Sequence, residues 1–238
     1  MDNWKTENLA KTYLEGVRGA IPFAAEEIDI LLRIINHYKP DVKTFLDLGC
    51  GDGILGRTIL ANFQYSKGIF VDFSETMINV AKSKCEEYKN RTKFFVLDFG
   101  NEKWIEPILN LLPVDLVISG FAIHHQDDNN KKRIYNEIFN QILKPGGLFL
   151  NLEQVASSSK GNEKIFDEFF MDYMKKFNRE SGGKNLLQKI EEEYYKDKEV
   201  NKLSPVEEQC NWLREIGFVN VDCFFKVFEI SIFGGVKP

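Results

Sequence analysis

Short apolar runs alternate along this chain with longer stretches whose apolar residues return every three or four positions. TFLDLG (44–49), KGIFVDF (67–73), TKFFVLDF (92–99), VDLVISGF (114–121) and GLFLNLE (147–153) are rich in β-formers and short enough to be buried strands. Between the second and third, SETMINVAKSKCEEYKN (74–90) puts Met77, Ile78, Ala81 and Cys85 on one helical face, with Ser74 placed to cap it. Alternation of this kind predicts an α/β chain, a largely parallel sheet with helices on both faces. Ahead of the first strand, AEEIDILLRIINHY (25–38) carries Ile28, Leu31, Leu32 and Ile35 at helical spacing and reads as a packing helix, whereas 1–18 is a weaker helical piece. After Phe218, VNVDCFFKVF (219–228) and EISIFGGVK (229–237) follow each other without room for a crossover helix. They are expected to pair antiparallel, which brings the strands to seven.

The stretch 157–204 breaks the alternation. It is too charged for a strand, and Phe166, Phe169, Phe170, Tyr173, Met174 and Phe177 form one stripe, followed by SGG and a second helical run around Leu186, Leu187 and Ile190. The expectation is a helical insertion, either an extra packing layer or a cover over a substrate. With 1–22 as a second cap segment, 1–238 reads as one domain, a size that 238 residues and 43% hydrophobic content can support.

Charge narrows the choice of partner. Lys and Arg number 31 against 36 Asp and Glu, a net charge of −5, so nucleic acid is not expected. The four cysteines form no CxxC pair, which leaves neither a zinc site nor a disulfide scaffold in prospect. MDNWKTENLA lacks a basic segment followed by an apolar run, and no stretch approaches the ~18 apolar residues of a membrane span. A cytoplasmic protein is expected, with its oligomeric state open and a homodimer among the options.

FLDLGCGDGILG (45–56) is the densest motif. A strand that ends in glycines and opens a helix lets backbone approach a ligand and aims N–H groups at an anion. Gly51, Gly53 and Gly56 satisfy GxGxxG with Asp72 about twenty residues on, a dinucleotide fingerprint. A better registration ends the strand at Asp47-Leu48 and starts the loop at Gly49, giving D-L-G-C-G-D-G. Asp47 then lies beside the crevice, where it can orient the loop or accept from an ammonium group.

In that registration the chain resembles the class I S-adenosylmethionine-dependent methyltransferases, whose first motif is D-x-G-x-G-x-G. The resemblance implies a Rossmann-like sheet of seven strands, mostly parallel with an antiparallel C-terminal hairpin, and S-adenosyl-L-methionine as cofactor. Gly49, Gly51 and Gly53 would pass close to its methionine and ribose parts. Asp72 in FVDFS matches the acid that holds the ribose hydroxyls, and Asp98 in FFVLDF the acid near the adenine amine, with Phe99 beside it. Cys50, Phe73, Met77, Ser119, Gly120 and Phe121 complete the implied cofactor contacts. VDLVISGFAIHH and LKPGGLFL resemble the fourth-strand motif and the turn into the fifth. FAIHHQDD with EEQCNWLREIGF looks like a group of uncharacterised bacterial and archaeal members.

His124 and His125 follow the fourth strand, where this fold opens onto its reaction centre. One of them can serve as base if the acceptor must lose a proton, or the pair can form the pocket floor. A metal held by His124, His125, Asp127 and Asp128 is not expected, because adjacent side chains in an extended segment point apart; Asp127 and Asp128 read as caps of the helix DDNNKKRIYNEIF. YLEGVRGAIP is similar to the N-terminal part of some small-molecule methyltransferases and of carboxy-S-adenosylmethionine synthases. That likeness implies Arg18 near the cofactor or an anionic ligand, with Trp4 and Tyr13 close to the substrate. The expected activity is in-line methyl transfer to a small organic molecule. Alternatives are a carboxy-S-adenosylmethionine synthase-like enzyme, an NAD-dependent oxidoreductase, or a non-catalytic cofactor-binding protein.

Overall fold

The computed structural model describes residues 21–180 and 187–238. Arg18, Trp4, Tyr13 and the SGG link lie outside them. In chain order come α1 (Ala24–Tyr38), β1 (Thr44–Leu48), α2 (Ile54–Asn62), β2 (Lys67–Asp72), α3 (Glu75–Lys84), β3 (Thr92–Val96), β4 (Val114–Gly120) and α4 (Asp128–Glu137). They are followed by β5 (Leu143–Gln154), α5 (Lys160–Glu180), α6 (Leu187–Val200), α7 (Val206–Ile216), β6 (Val219–Val227) and β7 (Ile230–Val236). One seven-stranded sheet runs β3-β2-β1-β4-β5-β7-β6. β1 to β5 are parallel, and β7 alone opposes the rest, paired antiparallel with β5 and β6. The strand order reverses beside β1, and in open sheets of this kind ligands sit at such a switch point, outside the carboxyl ends of the strands.

Two cores flank the sheet. On one face Leu31, Ile34 and Ile35 of α1 and Ile59 and Leu60 of α2 pack with Phe45, Phe70, Leu116 and Leu150. On the other, Ile134 and Tyr135 of α4 and Leu213 of α7 pack with Leu46, Val117, Phe149 and Phe233. The α3 face is as the spacing predicts, with Met77, Ile78, Ala81 and Cys85 all buried and the Ser74 hydroxyl accepting from Met77 N at 3.3 Å. α1 is rotated from its expected face. Ile34 is buried where Leu32 and Ile28 are only half-buried, and Glu27 joins the buried side. The apolar stripe of this helix is wide enough to accept either setting, and a left-handed Phe23 (φ 65°) precedes it.

Strand ends also shift. β3 stops at Val96, so Asp98 and Phe99 lie in the following turn, where Asp98 Oδ1 accepts from Gly100 N at 2.9 Å and competes with continued pairing. β5 begins earlier than its apolar run, at Leu143, and passes Pro145 and Gly146 (φ 71°) at a register shift against β4. Asp127 caps α4 by accepting from Asn130 N at 2.9 Å, whereas Asp128 instead engages Ser204 and the buried Lys131.

α5 and α6 form a helical pair. Phe166 and Met174 of the stripe are buried; Phe170 stacks on Tyr194 at 5.0 Å, and Lys198 Nζ meets Asp167 at 2.6 Å and Glu163 at 2.8 Å. The stems of this excursion meet, since Ala156 N donates to Ser204 O at 3.1 Å. Gly56 lets α2 lie close on the sheet, since a Cβ there would lie 2.2 Å from Phe70 Cε1. Gly56→Ala is expected to cost about 1–3 kcal/mol, read as a lower urea midpoint at unchanged slope.

Candidate active site

Residues 49–53 turn from β1 into α2 at the carboxyl edge of the sheet. Gly49, Gly51 and Gly53 take φ of 70°, 52° and 79°, a region open to glycine at no steric cost. A Cβ on Gly49 would lie 2.2 Å from Ala122 Cβ and 3.4 Å from Phe99 Cε1, so the loop, the end of β4 and the β3 turn converge there. Among the described residues, a Cβ on Gly51 would meet nothing within 4 Å. The amides are largely spent inside the protein. Gly49 N and Cys50 N donate to Val71 O at 2.8 and 2.9 Å, Gly53 N to Cys50 O at 2.8 Å, and Gly51 N to Asp72 Oδ2 at 2.9 Å. At the first turn of α2, Gly56 N donates to the buried Asp47 Oδ2 at 2.8 Å. This corrects the expectation of amides aimed at an anion, because Asp47 already sets a carboxylate at the positive end of α2.

Asp72 is buried at the end of β2 and accepts from Gly51 N through one oxygen and from Ser74 N at 2.8 Å through the other. Burial raises its pKa, and the backbone donors of Ser74, Gly51 and Phe73 oppose that rise. Three backbone donors leave the carboxylate one of its four lone pairs for a further donor. The Asp98 turn is braced from α4, as Arg133 Nη2 donates to Phe99 O at 2.8 Å and Gly100 O at 3.1 Å. Arg133 Nη1 pairs with Glu137 at 2.8 Å, which also accepts from Trp104 Nε1 at 2.9 Å. Phe99 is buried, as are Cys50, whose thiol pKa burial pushes up, and Met77. Ser119 faces inward and donates to Leu48 O at 2.8 Å; Gly120 lets Leu55 approach, with a Cβ there 2.7 Å from Leu55 Cδ1. Phe121 follows at φ 51° with its N–H on Leu152 O at 2.8 Å.

The histidines occupy a 3-10 turn (Ile123–His125), not an extended segment, and their rings lie 4.0 Å apart. Among the described residues no cluster of ligands suited to a metal is present. His124 is buried and doubly held by Glu153 at the end of β5, which bonds its Nδ1 and accepts from its backbone N–H at 2.9 Å. That leaves Nε2 as the ring nitrogen with scope for chemistry. His125 has its pKa lowered to about 2 by burial and by His124, which keeps it neutral. Its turn is fastened to the root of the helical pair through Lys202 N on His124 O at 2.9 Å. Lys131, only 1% exposed, reaches Lys202 O and the Ser204 hydroxyl beside it.

Residues 45–147 match the family model of a methyltransferase domain. Around them stands a sheet whose order and terminal hairpin are shared with solved S-adenosylmethionine-dependent methyltransferases. Human N-acetylserotonin methyltransferase superposes with a TM-score of 0.62 at 14% identity over 99% of this chain and 57% of that one. Residues 45–147 are thus similar to a methyltransferase domain, and the chain has the fold of S-adenosylmethionine-dependent methyltransferases. An O-methyltransferase family protein from Burkholderia thailandensis shows the same fold, with a TM-score of 0.60 at 14% identity over 95% of this chain and 62% of its own. The chain thus spans about three-fifths of these two methyltransferase structures. Among curated relatives, the carboxy-S-adenosyl-L-methionine synthase of Campylobacter lari is 22% identical over 97% of this chain and 92% of its own. The demethylmenaquinone methyltransferase of Leptospira interrogans is 34% identical over 45% of this chain and 41% of its own.

Against the family pattern, four side chains stand out that the motifs do not name. Glu153 and Arg133 hold His124 and the Asp98 turn, and Glu153 repeats the signal of an acid closing a strand. Glu137 supports Arg133 and carries no sequence mark. Glu27 is the fourth, an acid on the inner face of α1 with 2% exposure and, among the described residues, no partner for Oε1. Burial, with Glu26 adjacent, raises its pKa from 4.5 to about 8. The unfolded chain therefore releases this proton from about pH 4.5 upward while the folded one keeps it, so stability falls between about pH 4.5 and 8 and then levels. Glu27→Gln should flatten that segment of a stability profile measured by urea denaturation, with the greatest gain over wild type at its alkaline end.

Proposed function

We propose that this protein transfers the methyl group of S-adenosylmethionine to a small organic acceptor, with residues 1–238 acting as one methyltransferase domain in the cytoplasm. The observation that carries the reading is how the glycine loop spends its donors. Four of its amides are satisfied internally and Asp47 occupies the α2 terminus, so a pyrophosphate would meet a carboxylate where it needs N–H groups. A cofactor without phosphate suits that arrangement, and this disfavours the dinucleotide reading.

The residues present fit S-adenosylmethionine. The space open at Gly51 admits its ribose and methionine portions against bare backbone, and Asp72 offers its remaining lone pair to a ribose hydroxyl. Asp98, in a turn clamped by Arg133, offers the same to an exocyclic amine. When bound, the sulfonium supplies the electrophile, so the protein has chiefly to align the acceptor and keep water out. His124, oriented by Glu153, takes a proton from an acceptor that must lose one. The segment 1–22 and the helical pair in 157–204 cap the acceptor, and Arg18, Trp4 and Tyr13 belong to that cap.

A second reading has its own support, since likeness to the carboxy-S-adenosyl-L-methionine synthase of Campylobacter lari extends over nearly the whole chain. Such an enzyme uses the same cofactor pocket and adds an anionic partner, for which Arg18 is the cation in view. Mass spectrometry of small molecules released from the purified protein separates the two readings, because only the synthase leaves a carboxylated S-adenosylmethionine.

Calorimetric titration tests the common core of both. S-adenosylmethionine and S-adenosylhomocysteine should bind and NAD⁺ should not. Losing charge-assisted bonds in Asp72→Ala should weaken cofactor binding about 10- to 150-fold. Binding of NAD⁺ alone would overturn the proposal.

A further inference from the structure

Glu27 has a place in the fold that its isolation does not explain. A buried polar atom without a partner carries a desolvation penalty that native proteins rarely leave standing. One helical turn to either side of it are apolar residues, Phe23 and Leu31. The Phe23 ring lies 6.1 Å from Phe169, 6.3 Å from Tyr173 and 6.3 Å from Phe225, so the residue ahead of α1, α5 and β6 together build an aromatic wall, and Glu27 is tied to it through its N–H, which donates to Phe23 O at 2.8 Å.

Register places that wall. Phe225 pairs with Ile232, Ile232 with Leu152, and Leu152 with Gly120, so the wall stands level with the end of β4. There the chain turns toward His124. Small-molecule sites are built in this manner, from apolar and aromatic walls with a few placed polar groups. Ring faces attract cations, an ionised carboxylate can only accept hydrogen bonds, and a net charge of −5 does not oppose a cationic ligand.

We propose that Glu27, with the rings of Phe23, Phe169 and Tyr173, recognises a basic nitrogen on the methyl acceptor, which is thereby a small amine with an apolar or flat body. The inference rests on the methyltransferase reading of the neighbouring site. An ammonium group supplies the donor that Glu27 Oε1 lacks, and the rings share the remainder of its positive charge. Glu27 enters that pair ionised. Because burial keeps it protonated in the free protein, binding an ammonium must release a proton to solvent.

The experiment is calorimetric titration of the full chain at pH 7 with benzylamine, benzyl alcohol and benzoate. It is run with and without S-adenosylhomocysteine, in phosphate and in Tris, whose ionisation heats differ. Benzylamine should bind at least about tenfold more tightly than the other two, with release of close to one proton. Glu27→Gln, checked for folding by circular dichroism, should keep S-adenosylhomocysteine binding and lose both the amine preference and the proton release. Glu27→Leu serves as a second variant without polarity at the position. Absence of benzylamine binding, equal affinity for the three probes, or an amine preference that survives either variant overturns the proposal. The two readings fail separately. Lack of S-adenosylhomocysteine binding beside a Glu27-dependent amine site removes the methyltransferase reading alone, and normal binding beside a Glu27-independent response removes this one alone.

Discussion

At the carboxyl edge of the sheet, a side-chain carboxylate repeatedly takes hold of backbone N–H groups in a loop. Asp47 of β1 holds Gly56, Asp72 of β2 holds Gly51 and Ser74, Asp98 beyond β3 holds Gly100, and Glu153 of β5 holds His124. Parallel strands all deliver their ends to one side, so the connections there have to be irregular backbone with donors left over from the ladder. An acid at the strand end meets that demand at short range. These are charge-assisted bonds in a region of low water content, where such contacts are strongest and most directional. The loops are consequently shaped before any ligand arrives.

The same arrangement decides what the loops can recognise. A glycine-rich turn has two uses: presenting donors to an anion and letting another molecule lie against bare backbone. Here the first use is largely cancelled, because the donors face Val71, Cys50 and Asp72 and the start of α2 faces Asp47. The second remains at Gly51. Two glycines in one short motif thus serve opposite ends: Gly49 is small because Ala122 presses on it, and Gly51 is bare because nothing among the described residues does.

Much of this was legible in the chain. Period and length locate the strands, and the amphipathic spacing of 74–90 gives the buried face of α3 residue for residue. The acids at 47, 72 and 98 stand out as candidate site residues because each follows an apolar run. Part of what the sequence hides is local backbone geometry: β3 stops at Val96 and leaves Asp98 in a turn beside Gly100, and α1 follows a left-handed Phe23 with its buried face shifted. The rest depends on neighbours distant in the chain. The partnership of Arg133 with Phe99 and Gly100 spans more than thirty residues with no periodic signature. The 3-10 turn that brings the rings of His124 and His125 together likewise overrides an extended reading, because Glu153 draws the His124 backbone inward.

The stems of the α5–α6 excursion are joined by a hydrogen bond between Ala156 and Ser204, and Lys131 secures the returning strand of chain. An excursion that leaves and re-enters at one point imposes almost no closure constraint on the sheet, and lengthening such a loop adds little entropic cost. The length of its helices is therefore only weakly coupled to the carboxylate-bound loops at the edge of the sheet.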